Sequence, residues 1–210
     1  MGRSLAKRHL RVIGVDDGPF SRRQRSAVVV AVAMTMPGTV DGLLVTRVRV
    51  DGTDGTDRLV AMLRGSPFLA GARAVLLDGI SVAGFNVLDL ERLSRRLQRP
   101  VVSVTRRPPD LPAIRAALAK YFPADAARRY RLVERHRPFA ASPVEPSLWI
   151  SIAGGLRREA RQLLPRTIAV GRWPEPLRLA RLIARALARA PGRPPATLSD
   201  EAPLPRRAGL

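Results

Sequence analysis

Several carboxylates of this sequence come directly after apolar runs that are typical of buried strands. Asp16 and Asp17 end the run LRVIGVDD, Asp51 follows LLVTRVRV, and Asp78 ends ARAVLLD. A buried carboxylate is costly unless a helix start, a hydrogen-bond network or a cation compensates its charge. If neighbouring strands end at one edge of a sheet, these side chains converge there and repel one another unless they share a cation. Mg²⁺ prefers oxygen ligands, so the pattern suggests a Mg²⁺ site, with Mn²⁺ as an alternative ion.

The acidic residues that follow have a simpler structural explanation. Asp54 and Asp57 lie in TDGTDRLVAMLR and Asp110 begins DLPAIRAALAKYF, where an Asp side chain can cap a helix. Asp16 and Asp78 differ from these, because each ends an apolar strand and precedes a glycine within two residues. They are the stronger candidates for chemistry.

Other kinds of catalytic site find little support in the sequence. The absence of cysteine excludes disulfides, zinc–thiolate sites and thiol catalysis. His9 and His136 stand in no metal or triad spacing, and no P-loop or strand-linked GxGxxG is present. A metal that activates water for attack on phosphorus needs none of these groups.

The charge balance points to a polyanionic partner. Thirty-seven Lys and Arg oppose seventeen Asp and Glu, which gives a formal net charge of +20. Such a surplus favours nucleic acid through contacts with its phosphates, and it argues against a small-molecule phosphohydrolase. An arginine-biased composition of an ordinary surface is the alternative explanation. No obligate protein partner is implied.

The hydropathy pattern excludes a membrane protein. No apolar stretch reaches the roughly 20 residues that span a bilayer, and SAVVVAVAMTMPG is interrupted by Pro37. The basic segment MGRSLAKRHLR lacks the apolar core of a signal peptide. We therefore expect a cytoplasmic protein.

The order of predicted elements indicates a mixed α/β fold. Strands are predicted over 10–17, 26–35, 39–52 and 72–78, with a turn at Pro37-Gly38, and a helix near 54–64 precedes the last of them. A helix over 87–98, a strand in RPVVSVT and a helix over 110–122 follow. RYRLVERH and LWISIAG are predicted as short strands, LRREARQLL and EPLRLARLIARALARA as helices. We expect one domain over 1–190 and a Pro-rich, disordered tail over 191–210.

Five segments of the sequence resemble, in order, those of the endonuclease dU family, a largely archaeal family formerly of unknown function. They are RVIGVDDGPF, VRVDGTDGTD, VLLDGISVAGFNVLDLERL, RPVVSVTRRPPD and PEPLRLARLIARAL. The family in turn resembles endonuclease V. The resemblance implies an RNase H-like, endonuclease V-like mixed sheet flanked by helices.

The resemblance also implies roles for individual acids. Asp16 of IGVDD and Asp78 of LLDG match two metal ligands of endonuclease V. Its middle ligand follows the third strand, where this chain offers Asp51, Asp54 and Asp57. We expect Asp51 or Asp54 to complete the catalytic set, with Asp51 as the third metal ligand.

Substrate contacts are expected beside these acids. Asp17, Phe85 and Asn86 would border the pocket, and Arg178 and Arg181 would contact the substrate. The family tends to show a His after EPLRxA, where this chain has Arg181. The segment SRRQR and the arginine-rich last helix would contact phosphates.

The implied activity is Mg²⁺-dependent cleavage of DNA near deaminated bases, deoxyuridine in particular. Two alternatives stay open at this point. The chain could be a catalytically silent nucleic-acid-binding protein on the same fold, or an endonuclease that acts on RNA containing inosine.

Overall fold

The computed structural model describes residues 10–141 and 148–189 of the chain. Within them, a seven-stranded sheet forms the centre of the molecule and β5 and β6 form a separate two-stranded sheet. The strands are β1 (Leu10–Asp17), β2 (Ser26–Met36), β3 (Thr39–Arg49), β4 (Val75–Asp78), β5 (Ser81–Val82), β6 (Asn86–Val87), β7 (Val101–Thr105), β8 (Phe139–Ala140) and β9 (Trp149–Ala153). The helices are α1 (Gly55–Arg64), α2 (Leu90–Leu97), α3 (Leu111–Tyr121), α4 (Ala126–Arg135), α5 (Arg157–Leu163) and α6 (Glu175–Arg189), with a short 3-10 helix at Leu164–Thr167.

The large sheet has the strand order β3-β2-β1-β4-β7-β9-β8. An antiparallel meander of β1, β2 and β3 opens it, and β4 and β7 then run parallel to β1. β9 and β8 add antiparallel strands at the far side. As a result, β1, β3, β4 and β7 all end at the same edge of the sheet, which we call the carboxyl edge.

Helices cover both faces of the sheet, which is why its central strands are apolar along their whole length. On one face, Ile13 and Val15 of β1 share a core with Leu59 and Leu63 of α1 and with residues of α2. On the other face, Val12 packs with α6, and α5 packs beside β7 and β9. The side chains of β1 therefore alternate between two separate cores.

Glycine lets α6 lie directly against β1. A Cβ on Gly14 would stand only 2.7 Å from the backbone nitrogen of Leu177, and one on Gly18 would stand 2.5 Å from the carbonyl oxygen of Ala184. The helix consequently runs along β1 at backbone contact distance. Its middle turns reach the last residues of that strand.

The structure confirms the predicted mixed α/β class and most of the element order. It corrects one element, because RYRLVERH is not a strand but the larger part of helix α4. Arg129 and Val133 are buried at the i, i+4 spacing of one helix face, whereas the apolar residues of this segment suggested a strand. The predicted tail lies outside the described residues, and the single domain stays a prediction.

Within the part of the chain that the structure describes, no helix combines the length and apolar character that crossing a bilayer requires. The cytoplasmic location stays a prediction.

Candidate active site

Strand register brings Asp16 and Asp78 together at the carboxyl edge. β1 and β4 pair in parallel with Gly14 opposite Leu76 and Val15 opposite Leu77, so Asp16 and Asp78 come next in the same register. Side chains two residues apart share a face of a strand, which places both acids on the face covered by α6. The convergence that the sequence suggested for these two residues is therefore present.

A guanidinium group lies between the two carboxylates. Arg181 Nε donates a hydrogen bond to Asp16 Oδ2 at 2.9 Å, and Arg181 Nη2 donates to Asp78 Oδ2. Arg181 can reach both acids because α6 lies so close to β1. The arginine side chain keeps 37% of its surface exposed, whereas that of Asp16 keeps 5%.

Burial raises the free energy of a negative charge on Asp16 and on Asp17. Burial, and next the nearby Asp78 carboxylate, raise the pKa of Asp16 to about 8, although its bond to Arg181 acts in the opposite direction. Burial also raises the pKa of Asp17, against the effect of its hydrogen bond from the Ala83 backbone. A cation between Asp16 and Asp78 relieves this cost, and the position is accordingly one that attracts positive charge.

The side chain of Asp17 lies on the opposite face of the sheet from that of Asp16. Its Oδ2 accepts a hydrogen bond from the Ala83 backbone N–H at 2.6 Å, and its own N–H donates to Asp16 Oδ1 at 2.8 Å. Ala83 belongs to the loop that follows Asp78. Asp17 therefore fixes that loop against the end of β1 from beneath the pair.

Asp51 and Asp54 are not brought to the carboxylate pair. Asp51 has a positive φ of 55° and accepts a hydrogen bond from the Phe85 N–H at 2.8 Å. Asp54 accepts from Asn86 Nδ2 at 2.9 Å and from the Arg49 N–H at 3.2 Å. Across the described ranges, no three His, Asp or Glu side chains are grouped so that they could hold one metal ion.

The sheet order explains why the third acid stays apart. The prediction assumed that β1, β3 and β4 are neighbours, but β2 lies between β3 and β1. With about 4.8 Å between adjacent strands, the end of β3 lies roughly 10 Å from the end of β1. Both acids instead bond residues of the segment that follows β4, Asp51 the Phe85 N–H and Asp54 the side chain of Asn86.

Asn86 and Phe85 differ in their access to solvent. Asn86 is fully buried; its Oδ1 accepts from the Gly55 N–H at 3.0 Å and its Nδ2 donates to the Arg49 carbonyl at 3.0 Å. It thereby joins the turn after β3 to the start of α1. Phe85 is half-buried and packs against Phe122, with ring centres 5.5 Å apart.

Arg178 lies one helical turn before Arg181 on α6 and is exposed. Its Nε donates to Glu175 Oε2 at 2.7 Å within the same helix. Hydrogen bonding to Arg178 lowers the pKa of Glu175. The substrate contact predicted for Arg178 stays a prediction.

The sequence did not predict the structural role of Arg129. Arg129 is 5% exposed, and its Nη1 donates to the carbonyl oxygens of Phe85 at 2.5 Å and Gly52 at 3.2 Å. Its Nε bonds both carboxylate oxygens of Asp125 at 2.9 Å. Arg129 thus connects the loops after β3 and β4, and the Asp125–Arg129 i, i+4 spacing was the signal that could have revealed it.

The chemistry of the donor set fits Mg²⁺. Proteins bind this ion through one or two carboxylates, with water and substrate phosphate supplying the other ligands. Asp16 and Asp78 provide two carboxylates that already share one cationic group. The guanidinium of Arg181 occupies the position between them, so an ion that binds both acids must displace it.

Comparison with known proteins shows which family this chain belongs to. The sequence profile described as endonuclease dU matches residues 8–188. The chain belongs to the endonuclease dU family. Its relatives include a UPF0215 protein of Methanothermobacter thermautotrophicus, which is 38% identical over 183 residues that cover 85% of this chain and 87% of that protein.

Two solved structures have a fold similar to that of this chain. A crystal structure of a protein of unknown function from Archaeoglobus fulgidus matches with a TM-score of 0.78 and 32% identity, over 86% of this chain and 99% of that one. Endonuclease V of Ciona intestinalis, in complex with a 23mer DNA containing an inosine followed by a ribo-adenosine, matches with a TM-score of 0.55 and 16% identity. That match covers 87% of this chain and 86% of the other.

The expected endonuclease V-like fold is thereby confirmed. Membership in the endonuclease dU family, together with this fold, supports a nuclease that acts on nucleic acid.

Proposed function

We propose that this endonuclease dU family protein is a Mg²⁺-dependent endonuclease that cleaves DNA near deaminated bases such as deoxyuridine. The observation that carries the proposal is the convergence of two carboxylates, the buried Asp16 and the half-buried Asp78, at the carboxyl edge of the sheet. The net charge of +20 supports a polyanionic substrate. The family description supports deoxyuridine, and the inosine-containing DNA bound by the Ciona endonuclease V supports a deaminated base.

Asp16 and Asp78 are the residues that would hold the ion. A bound Mg²⁺ would supply charge stabilisation at phosphorus and a more acidic water. Asp16 must give up its proton to serve as a ligand, and its raised pKa means that binding becomes stronger as the pH rises towards 8. No covalent nucleophile is needed.

Arg181 takes a second position when the ion is present. Its planar guanidinium suits the paired oxygens of a phosphate group, and 37% of its side chain already faces solvent. We assign it to the phosphate beside the scissile bond. In this role it replaces the His that the family tends to show at the same place, as a cation rather than as an acid or base.

Exposed arginines continue the basic surface around the carboxyl edge. Arg22, Arg23 and Arg25 lie in the exposed loop between β1 and β2, and Arg178 and Arg185 are exposed on α6. Both elements flank the Asp16–Asp78 pair. We assign them to phosphates on either side of the cleavage position.

Two other functions each have an observation in their favour. The guanidinium between the carboxylates favours a silent binding protein in which Arg181 permanently takes the place of the ion. The ribo-adenosine in the strand bound by the Ciona endonuclease V favours a substrate with RNA character, such as RNA that contains inosine.

Strand cleavage of matched oligonucleotides separates these functions. Substrates would carry a single deoxyuridine or inosine in DNA or a single inosine in RNA, each as single strand and as duplex, with Mg²⁺, Mn²⁺ or EDTA. The proposal predicts metal-dependent nicking close to deoxyuridine in DNA. Preferential nicking of inosine-containing RNA would select the RNA enzyme, and binding without nicking of any substrate would select the silent protein.

A further inference from the structure

A group of aromatic side chains lies at the loops that follow β1 and β4. Only 4% of the chain is aromatic, yet four rings gather where the loops after β1 and β4 meet the end of α3. The Phe85 and Phe122 ring centres are 5.5 Å apart, and the tip of Phe20 lies 3.5 Å from where a Cβ on Gly84 would stand. Tyr121 is next to Phe122 at the end of α3. We call Phe20, Phe85, Tyr121 and Phe122 the aromatic platform.

Tyr121 gives the platform an open ring. Among the described residues, Tyr121 is the one aromatic side chain that is largely exposed, with 52% of its surface accessible. Two cations lie over the ring: the guanidinium carbon of Arg22 at 5.6 Å from its centre and Lys120 Nζ at 5.2 Å. An exposed ring flanked by positive charge suits a ligand that is both planar and anionic.

The platform is held in place from beneath by Arg129. The guanidinium carbon of Arg129 lies 4.4 Å from the centre of the Phe122 ring, while its Nη1 donates to the Phe85 carbonyl oxygen. The arginine is 5% exposed and pairs with Asp125. Phe85 and Phe122 are thus fixed before any ligand arrives, which lowers the entropic cost of binding.

The loops of the platform begin at the carboxylates themselves. Phe20 and Arg22 follow Asp16 and Asp17 in the loop after β1, and Phe85 follows Asp78 in the loop after β4. Short segments of chain therefore connect the platform to the carboxylate pair.

We propose that the aromatic platform stacks unpaired bases of a single-stranded nucleic acid, while Arg22 and Lys120 contact its phosphates. The inference rests on the proposed function for its choice of nucleic acid, and it adds a preference for unpaired over paired strands. Stacking uses the π-face that every base has, so the site accepts DNA and RNA alike and reads no sequence.

Binding measured in EDTA tests the platform without any cleavage. Fluorescence anisotropy would compare a short oligothymidylate, an oligouridylate of the same length, and an oligomer in which abasic positions keep the phosphates and remove the bases. For Tyr121→Ala we expect about fivefold weaker binding or more to both base-containing strands, as for loss of one stacked base. Binding of the abasic strand should be unchanged, and Tyr121→Phe should bind like the unaltered protein.

Tyr130→Ala is the matched control. Tyr130 also has a cation over its ring, the guanidinium carbon of Arg115 at 5.4 Å, but it lies on α4 outside the platform. Its replacement should leave all three affinities unchanged, and circular dichroism would verify that each variant is folded.

The inference is wrong if Tyr121→Ala binds the thymidylate as well as before, or if it loses the abasic strand equally. It is also wrong if the unaltered protein does not distinguish base-containing from abasic strands. The proposed function can fail separately from this inference. Base-dependent binding without nicking of any lesion would support the platform and contradict the proposed endonuclease activity. Nicking by a protein whose binding is unchanged in Tyr121→Ala would support the endonuclease activity and contradict the platform.

Discussion

Arg181 is the residue on which the state of the carboxylate pair depends. Its guanidinium bonds Asp16 Oδ2 at 2.9 Å and also bonds Asp78, so it competes with any ion for the same oxygens. Arg181→Ala should therefore bind Mg²⁺ and Mn²⁺ about tenfold more tightly or better, equivalent to about 1.4 kcal/mol. Isothermal titration calorimetry measures the affinities directly.

Arg178→Ala is the control for that comparison. It removes an arginine from the same helix whose partner is Glu175 rather than an acid of the pair. Its metal affinity should match that of the unaltered protein. Unchanged or weaker metal binding by Arg181→Ala would show that the guanidinium does not compete with the ion.

The burial of Asp16 predicts a dependence of stability on pH in the metal-free protein. The folded chain keeps Asp16 protonated up to about pH 8, whereas an ordinary Asp ionises near 3.8. Between these values the folded state holds a proton that the unfolded state releases, so the free energy of unfolding falls as the pH rises. Above pH 8 this contribution stays constant at its least favourable value.

Asp16→Asn removes the titrating group and should flatten that dependence. At pH 8 in EDTA the variant should be more stable than the unaltered protein by at least about 1 kcal/mol, and the difference should shrink towards pH 4. Urea denaturation at several pH values measures it. A variant that is less stable than the unaltered protein at pH 8 would show that the Arg181 ion pair outweighs burial.

For single residues, the sequence predicted that Asp16 and Asp78 form a pair, but it did not predict the contacts that Arg181 and Arg129 make. Asp16 and Asp78 each end an apolar run, and the expectation that they meet depended on β1 and β4 being neighbours, which the structure shows. Arg181 was predicted as a substrate contact on the arginine-rich last helix and not as a partner of the pair, because no spacing in the sequence relates a residue on the last helix to the first strand. Arg129 was missed because a buried arginine looks like any other in an arginine-rich chain.

Among the elements, α6 decides whether Arg181 reaches the acids. Gly14→Ala would place a Cβ 2.7 Å from the backbone nitrogen of Leu177, and the helix must then move away from β1. We expect a loss of about 1–3 kcal/mol in the free energy of unfolding, as for other overpacked sites. Displacement of the helix should also weaken the hydrogen bonds from Arg181 to Asp16 and Asp78.

Gly38→Ala is a control of the same chemical size. No atom lies within 4 Å of a Cβ placed there, so its thermal midpoint should stay close to that of the unaltered protein. Thermal denaturation of both variants gives the comparison. Equal midpoints would mean that α6 accommodates the methyl group without cost.

Element order was predictable where local patterns are strong, and sheet order was not. The β1–β2–β3 meander follows from short turns and β-branched runs. That meander places β2 between β1 and β3, which separates Asp51 and Asp54 from the pair. The placement of β4 beside β1 depends on long-range pairing, which no local pattern reveals. Helix α4 was taken for a strand because a few apolar residues fit either period.

For the whole molecule, the surplus of positive charge predicts steep salt dependence of nucleic-acid binding. Replacing Arg22, Arg23 and Arg25 with Gln should lower the slope of log K against log salt by about two for a single strand, if each contacts one phosphate. Anisotropy titrations over a range of salt concentrations measure the slope.

The matching control changes three arginines at the opposite edge of the sheet. Arg64, Arg95 and Arg96 lie in the last turns of α1 and α2, away from the carboxyl edge. Their replacement with Gln should leave the slope nearly unchanged. Equal losses from both triple variants would indicate diffuse attraction by total charge instead of a defined binding edge.

The most direct test of the central claim is nicking of a deoxyuridine-containing DNA oligonucleotide by the unaltered protein, by Asp78→Asn and by Asp110→Asn. Asp110 caps α3 by accepting from the Ala113 N–H at 2.9 Å, and Asn caps a helix equally well, so this variant controls for the chemical change. The proposal predicts Mg²⁺-dependent nicking near the lesion that EDTA and Asp78→Asn abolish and Asp110→Asn preserves. Nicking that persists in folded Asp78→Asn would contradict the assignment of the carboxylate pair as the catalytic centre.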